Sequence, residues 1–298
     1  MTELTIDADR PVTELGDAPF SRVCAVTELP SDLPEVGRYG GEIHRTWTIG
    51  KKLHGGTMVA GSAAAATRRL REVAPALSEM FPIAGASDFL GAPDPGEVEY
   101  HVRVRKTGKR ISLVDTDLVQ DGRTLVHTAF TFAHLDDAAP AYTRAIDTDM
   151  PPEPPADAIG YELDSPMGRI VNVAQATSVA IDSEWAVFLK GEQGEPRLRL
   201  WIRPRPGDEQ DPDVAAYFAM MAGDMSPPVP ANLGRFGWAP TVQLTTYLRR
   251  RPAPGWLRVI ATAQEIGEGM FDEDQLVLDA TGAVVAQTRQ LALIPRQP

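Results

Sequence analysis

The chain is poor in cysteine, in histidine and in basic charge, and each shortage excludes a class of chemistry. Its one cysteine, Cys24, rules out an intrachain disulfide framework and a cysteine-based zinc cluster. It fits a reducing cytoplasm, the expected location, and reads as a small buried apolar residue. No run of about 18 apolar residues is present, so no membrane span is expected. The opening MTELTIDADRPVTELGDAPF has neither a basic region nor an apolar stretch, so no secretory leader is read there. With 29 basic against 41 acidic residues and a net charge of −12, the chain is unsuited to nucleic acid, which is bound by neutralising phosphates. There is no G-x-S-x-G elbow, no Walker loop and no H-E-x-x-H helix. The acids Glu268, Asp272, Glu273 and Asp274 beside Gly267 and Gly269 lack the spacing of a calcium loop and read as a solvated turn. Neither a metal nor a cofactor is indicated.

What the chain does have is an internal repeat. EVEYHVRVRK at 97–106 is matched by TVQLTTYLRR at 241–250, and VQDGRTLVHTAFTF at 119–132 by LDATGAVVAQTRQL at 278–291. Such self-similarity points to duplication of a unit that cannot close its own apolar face. The step is 144 residues from Glu97 to Thr241 but 160 from Gly122 to Gly282, which implies a 16-residue insertion in the second copy, placed in the acidic loop 265–274.

At 298 residues, 43% hydrophobic and 23% charged, the chain is long enough for one large domain or two of ordinary size. Residues 1–20 read as a flexible segment. A strand is expected near 41–48, then Leu53-His54-Gly55-Gly56, then an alanine-rich helix whose last turns carry Arg68, Arg69 and Arg71, suited to the negative end of the helix dipole. Alternation over 97–105 predicts a half-buried strand, and Asp121-Gly122 a hairpin. Residues 136–160, with prolines at 140, 151, 152, 154 and 155, read as a linker. The plan then recurs: strands over 171–189 and 198–202, a helix over 213–224 ended by Pro227 and Pro228, and strands to Ile294. A central helix followed by antiparallel strands, made twice, is an α+β arrangement.

The pieces LHGG at 53–56, AGD at 222–224, PTVQLTTYLRR at 240–250 and GAVVAQTRQ at 282–290, in this order and in a duplicated context, resemble the type II acyl-CoA thioesterases (TesB-like), the double hotdog proteins of the thioesterase-like superfamily. The resemblance covers nearly everything after residue 20. It implies two hotdog units, 21–135 and 161–298, joined by the linker 136–160, and association into a homodimer or larger assembly. It also implies an aspartate, a threonine and a glutamine that hold a water for attack on the thioester: here Asp224, Thr241 and Gln290.

The chemistry of these residue types agrees, because hydrolysis needs a base near water and neutral groups to direct it. An acid at a helix C-terminus has its pKa pushed up by the dipole, which suits Asp224 as a base. Asp224 also reads as a helix-end acid, and Thr241 as an ordinary strand residue. Gln290 is the sharper signal, since its repeat counterpart is Phe130, while Thr241 pairs with Glu97. One active centre per chain follows, built mainly by the second half. Gly55 and Gly56, at a helix start, read either as oxyanion donors to the thioester carbonyl or as a plain tight turn, with His54 a positioning or structural residue. Arg103, Arg105, Lys106, Lys109, Arg110, Arg249, Arg250 and Arg251 are solvated strand ends or, for some, contacts to coenzyme A phosphates. Met220, Met221 and Met225 are acyl-tunnel lining or ordinary core. Two other functions stand beside hydrolysis: a hotdog hydratase or dehydratase, which needs an aspartate–histidine pair while no histidine follows His134, and a non-catalytic acyl-CoA or lipid-binding module.

Overall fold

Small side chains let a sheet close tightly on a helix, and the helix over Gly55–Val73 is built that way, with Ala63, Ala64, Ala65 and Ala66 all buried. The computed structural model describes residues 16–136, 138–144, 146, 148–162, 165 and 167–295. Its first half runs α1 (Pro19–Cys24), β1 (Thr27–Leu29), β2 (Val36–Ile43), β3 (Thr48–Ile49), β4 (Lys52–Leu53), α2 (Gly55–Val73), β5 (Phe81–Phe89), β6 (Gly96–Lys106), β7 (Ser112–Gln120) and β8 (Arg123–Ala133). The second runs β9 (Ile159–Gly160), α3 (Val173–Ala176), β10 (Ser178–Ile181), β11 (Arg197–Arg203), α4 (Pro212–Ala222), β12 (Thr241–Leu248), β13 (Leu257–Thr262), β14 (Met270–Leu278) and β15 (Val284–Leu293). The short α1 and α3 and four 3-10 pieces aside, the described residues form α2 and α4 wrapped by antiparallel strands, the double hotdog.

Thirteen strands form one sheet in the order β1-β2-β6-β7-β8-β5-β12-β15-β14-β13-β11-β10-β9, joined at its middle by β5 against β12. The order reads the same outward from that junction in both directions, which defines the copies: β5 corresponds to β12, β8 to β15, β7 to β14 and β6 to β13. One step along the chain carries Tyr100 to Val259, Val114 to Glu273 and Leu118 to Val277. Even the bulges recur, between Pro82 and Ala84 as between Thr241 and Gln243, and between Leu118 and Val119 as between Val277 and Leu278.

This register corrects the repeat read from sequence. The 119–132 and 278–291 match holds, but 97–106 is β6 and 241–250 opens on β12, the counterpart of β5. Thr241 therefore corresponds to Pro82, not Glu97, and there is no 16-residue insertion. Both segments are alternating strands, so their local patterns match without being equivalent.

Two boundaries also shift. The N-terminal segment is held from α1 on, not from residue 21: Phe20 is fully buried, with ring contacts to Trp47 and Phe218 at 5.3 and 5.2 Å, and Asp208 accepts the Phe20 and Ser21 N–H groups at 3.1 and 2.7 Å. The described residues of the proline-rich linker dock against the second unit. Met150 is buried and its carbonyl accepts from Arg258 at 2.9 Å, Pro151 accepts from the Trp201 indole at 2.9 Å, and β9 adds to the sheet edge. Asp149 pairs with Arg199, which also holds Asp182 at 2.6 Å.

Arg199 and Asp182 are both largely buried, so removing one leaves the other a desolvated charge. Arg199→Met is expected to cost about 3 kcal/mol, read as a lower urea midpoint at unchanged m-value.

Candidate active site

The site is made where the start of one central helix meets the end of the other. Asp211 caps α4, accepting from the Asp213 and Val214 N–H groups, and Pro212 occupies its first turn. Eleven residues later the helix ends at Ala222, and Gly223 and Asp224 turn off it, with the Asp224 N–H bonded to the Met221 carbonyl at 3.0 Å. The start of α2 lies against that turn. The Gly56 N–H donates to Asp224 Oδ2 at 2.6 Å, a carboxylate on the positive end of a helix. His54 caps α2: its Nδ1 accepts the Thr57 N–H at 3.3 Å, and its Nε2–H donates to the Asp224 carbonyl at 2.9 Å. The imidazole also lies 3.5 Å from Asp224 Oδ2.

The glycine pair is explained by this contact. A Cβ on Gly56 would stand 2.6 Å from the Met221 carbonyl oxygen, and one on Gly55 2.6 Å from Asp224 Oδ2. Only residues without side chains let the two helix ends approach so closely.

The sheet supplies the other wall. Ala286, Thr288, Gln290 and Ala292 form the inward, buried row of β15, and Leu244, Thr246 and Leu248 that of β12. Strict alternation along β12 would turn Thr241 outward. The bulge between Thr241 and Gln243 sets Thr241 opposite the inward Ala292 instead, the re-aiming that bulges provide. The Thr241 hydroxyl then donates to Gln290 Oε1 at 2.7 Å, which leaves the Gln290 amide NH2 as a donor toward whatever lies beside it. The Thr288 hydroxyl donates to the Gly223 carbonyl, tying β15 to the turn that bears Asp224.

Sequence reading missed one member of this wall. Glu273, taken above for part of a solvated turn, lies on β14 and is fully buried. It stands opposite Gln290 in the strand register. It accepts from the Ser226 hydroxyl, from the Val229 N–H at 3.0 Å and from Gln275 Nε2 at 2.8 Å. The signal was available: its counterpart is the buried Val114, the same apolar-to-polar change that singles out Gln290 against Phe130. The misplaced insertion hid it.

Burial pushes the Asp224 carboxyl above its ordinary range, with the neighbouring His54 and the Gly56 N–H opposing. The expected rise is therefore present but has a different cause from the α4 dipole. Burial likewise pushes Glu273 up to about 7, and the nearby Asp224 adds to the rise against the donors from Ser226, Val229 and Gln275.

Of the residues singled out by sequence, Asp224, His54, Gly55 and Gly56 meet at the helix ends, while Thr241 and Gln290 bond to each other on the adjoining sheet face. The Gly56 N–H, one of the two expected oxyanion donors, is taken by Asp224. The Gly55 N–H, at the first helical position, is a group the helix itself does not satisfy. Met220, Met221 and Met225 are buried in the core. Among the basic residues, Arg251 bonds Asp213 at 2.8 Å, Arg249 bonds Gln287 at 2.8 Å and Arg105 lies 3.5 Å from Asp115. Among the described residues no cluster of three or more His, Cys, Asp or Glu could hold a metal ion, and no helix is long and apolar enough to cross a membrane.

A double hotdog with an acid, a hydroxyl and an amide at the junction of its halves defines a class, and comparison with known proteins agrees. The chain belongs to the acyl-CoA thioesterase family: residues 43–133 match the model of the acyl-CoA thioesterase N-terminal domain and residues 128–294 that of the C-terminal domain. It is 38% identical to an uncharacterised protein of Mycobacterium tuberculosis over 94% of this chain and all of that one. A crystal structure of a candidate thioesterase II from Thermobifida fusca YX is similar at a TM-score of 0.78 and 27% identity, covering 93% of this chain and 99% of that one. The acyl-CoA thioesterase II TesB2 of Mycobacterium marinum shares the fold at a TM-score of 0.65 and 16% identity, over 94% and 98% of the two chains.

Because the Met221 carbonyl is backbone and cannot swing aside, Gly56→Ala is expected to force α2 away from Asp224. Activity on any substrate of this site should fall at least about tenfold and the melting temperature should drop; an unaltered enzyme would show that the two helix ends are not in contact.

Proposed function

We propose that the chain hydrolyses acyl-CoA thioesters to a free carboxylic acid and coenzyme A, without metal, cofactor or covalent intermediate. Asp224 acts as the base that takes a proton from water. Gln290, oriented by Thr241, donates its amide N–H to that water or to the developing oxyanion, and the Gly55 N–H is placed to polarise the thioester carbonyl. The observation that carries the reading is the Thr241–Gln290 hydrogen bond on the sheet face that adjoins the buried Asp224 carboxylate, in a chain of this family. The reading includes a cytoplasmic location and a homodimeric or larger assembly.

A second reading gains something from the structure. The hydratase or dehydratase alternative counted against itself the lack of a histidine in the second half, yet His54 of the first half comes to Asp224. It fails on a different point. Both nitrogens of His54 are engaged, Nδ1 by the Thr57 N–H and Nε2 by the Asp224 carbonyl, so neither is free to exchange a proton with a substrate. Hydrolysis needs nothing further from it.

Incubation with a panel of acyl-CoAs and a thiol reagent tests the proposal. Steady thiol release is expected. It should fall at least about 10²-fold in Asp224→Asn, the typical contribution of a positioned base, and by about 10²-fold in Gln290→Ala, as for loss of one oxyanion donor. Tight binding without release would establish the binding module, and loss of an enoyl-CoA without thiol the hydratase. A base works only when deprotonated and burial raises the Asp224 pKa, so kcat/KM is expected to fall on acidification with a midpoint above about 4, the ordinary carboxylate value.

A further inference from the structure

Glu273 is buried, titratable and outside the trio that the family resemblance implies. Its contacts are not those of a residue serving its own strand. Two of its three donors, the Ser226 hydroxyl and the Val229 N–H, belong to the segment that leaves α4 immediately after Asp224. The third, Gln275, is its neighbour on β14. Across the ladder it faces Gln290, itself bonded to Thr241. The carboxylate thus joins Thr288 in tying the turn bearing Asp224 to the sheet wall bearing the amide. In the first copy the same place is filled by Val114, where no comparable turn exists: α2 continues to Val73 without a break.

We propose that Glu273 is a positioning residue for Asp224: it clamps the 224–229 turn to the sheet through the Ser226 hydroxyl and the Val229 N–H. The charges acting on the two acids are Asp224 on Glu273, and His54, which approaches from α2, on Asp224. Neighbouring carboxylates resist simultaneous ionisation. The ionised Asp224 therefore holds the proton on Glu273 longer than it would stay there alone. The inference rests on the hydrolase reading for its consequence to catalysis, but not for its measurement.

The test uses the full-length protein labelled with 13C at side-chain carboxyls, with the Glu273 signal identified by its loss in Glu273→Gln. Glu273→Val installs the residue of the first copy. In the substrate-free protein, Glu273 is expected to titrate at least about half a pH unit lower in Asp224→Asn than in wild type. On an acyl-CoA that wild type hydrolyses, Glu273→Val should lose at least about tenfold in kcat, with KM changed by less than about threefold, the pattern of a displaced base. A Glu273 titration that is the same in wild type and Asp224→Asn would overturn the proposal, as would full kcat in Glu273→Val. If Glu273→Val does not fold, the Glu273 titration in Asp224→Asn decides alone. Because that titration needs no substrate, a wild type that releases no thiol would defeat the hydrolase reading and leave the coupling of the two acids separately decided.

Discussion

The contact on which the site depends is that between the Asp224 carboxylate and the first turn of α2. A helix begins with N–H groups that its own turns cannot satisfy and with a partial positive charge. A buried carboxylate needs both. Placing the two together lets an acid remain in the core where desolvation alone would favour its neutral form. The arrangement demands that the helix ends touch, which requires Gly55 and Gly56, and that the sheet halves stay in register, which requires the β5–β12 seam. The His54 cap belongs to the same constraint, since it bonds forward to Thr57 and across to the Asp224 carbonyl.

A chain that continued the α4 helix through residue 224 would bury that aspartate among core side chains. Ending it at Ala222 and turning at Gly223 brings Asp224 round to α2, with Thr288 and Glu273 holding the turn from the sheet. The fold then supplies the sheet wall of the site almost without additional parts. The inward row of β15 already faces the turn, and a single bulge, present in both copies, brings Thr241 into that row.

Much of this was legible in the sequence, and the parts that were not have physical reasons. Patterns fixed by local sterics came through: the alanine-rich α2, the short α4 stopped before Pro227, the glycine turn at Gly122 and its partner at Gly282. The duplication is visible in the sequence, but alternating strands all resemble one another, so the pattern pairs β6 with the opening of β12 and implies an insertion that the strand register removes. That error concealed Glu273, whose acidic neighbours Asp272 and Asp274 face out and make the whole run look solvated. Alternation alone hides a single inward charge in a strand of outward ones. Nor could sequence show that Gly56 serves Asp224 itself, because that depends on how two helices separated by more than a hundred residues abut.

The duplication also poses a question of symmetry, since a fold with two equivalent helix junctions could carry two sites. At the opposite end of the helix pair, the start of α4 meets the end of α2, and an aspartate stands there as well. Asp213 is bound by Arg71 at 2.8 Å and by Arg251 at 2.8 Å. Burial works to raise its pKa, but the two guanidiniums outweigh it and hold the carboxyl below the usual range. An acid fixed between two arginines has its lone pairs occupied and its proton affinity lowered, which suits a clasp and not a base. Tyr217, stacked on Phe81 at 4.9 Å, fills the space beside it. At the other junction, Asp224 meets one neutral N–H, one histidine and a second acid, and no fixed cation. The same helical scaffold therefore presents two aspartates to two opposite charge environments, which raise the proton affinity of Asp224 and lower that of Asp213. In this chain the difference between the two junctions follows from where the arginines are, as much as from where the aspartates are.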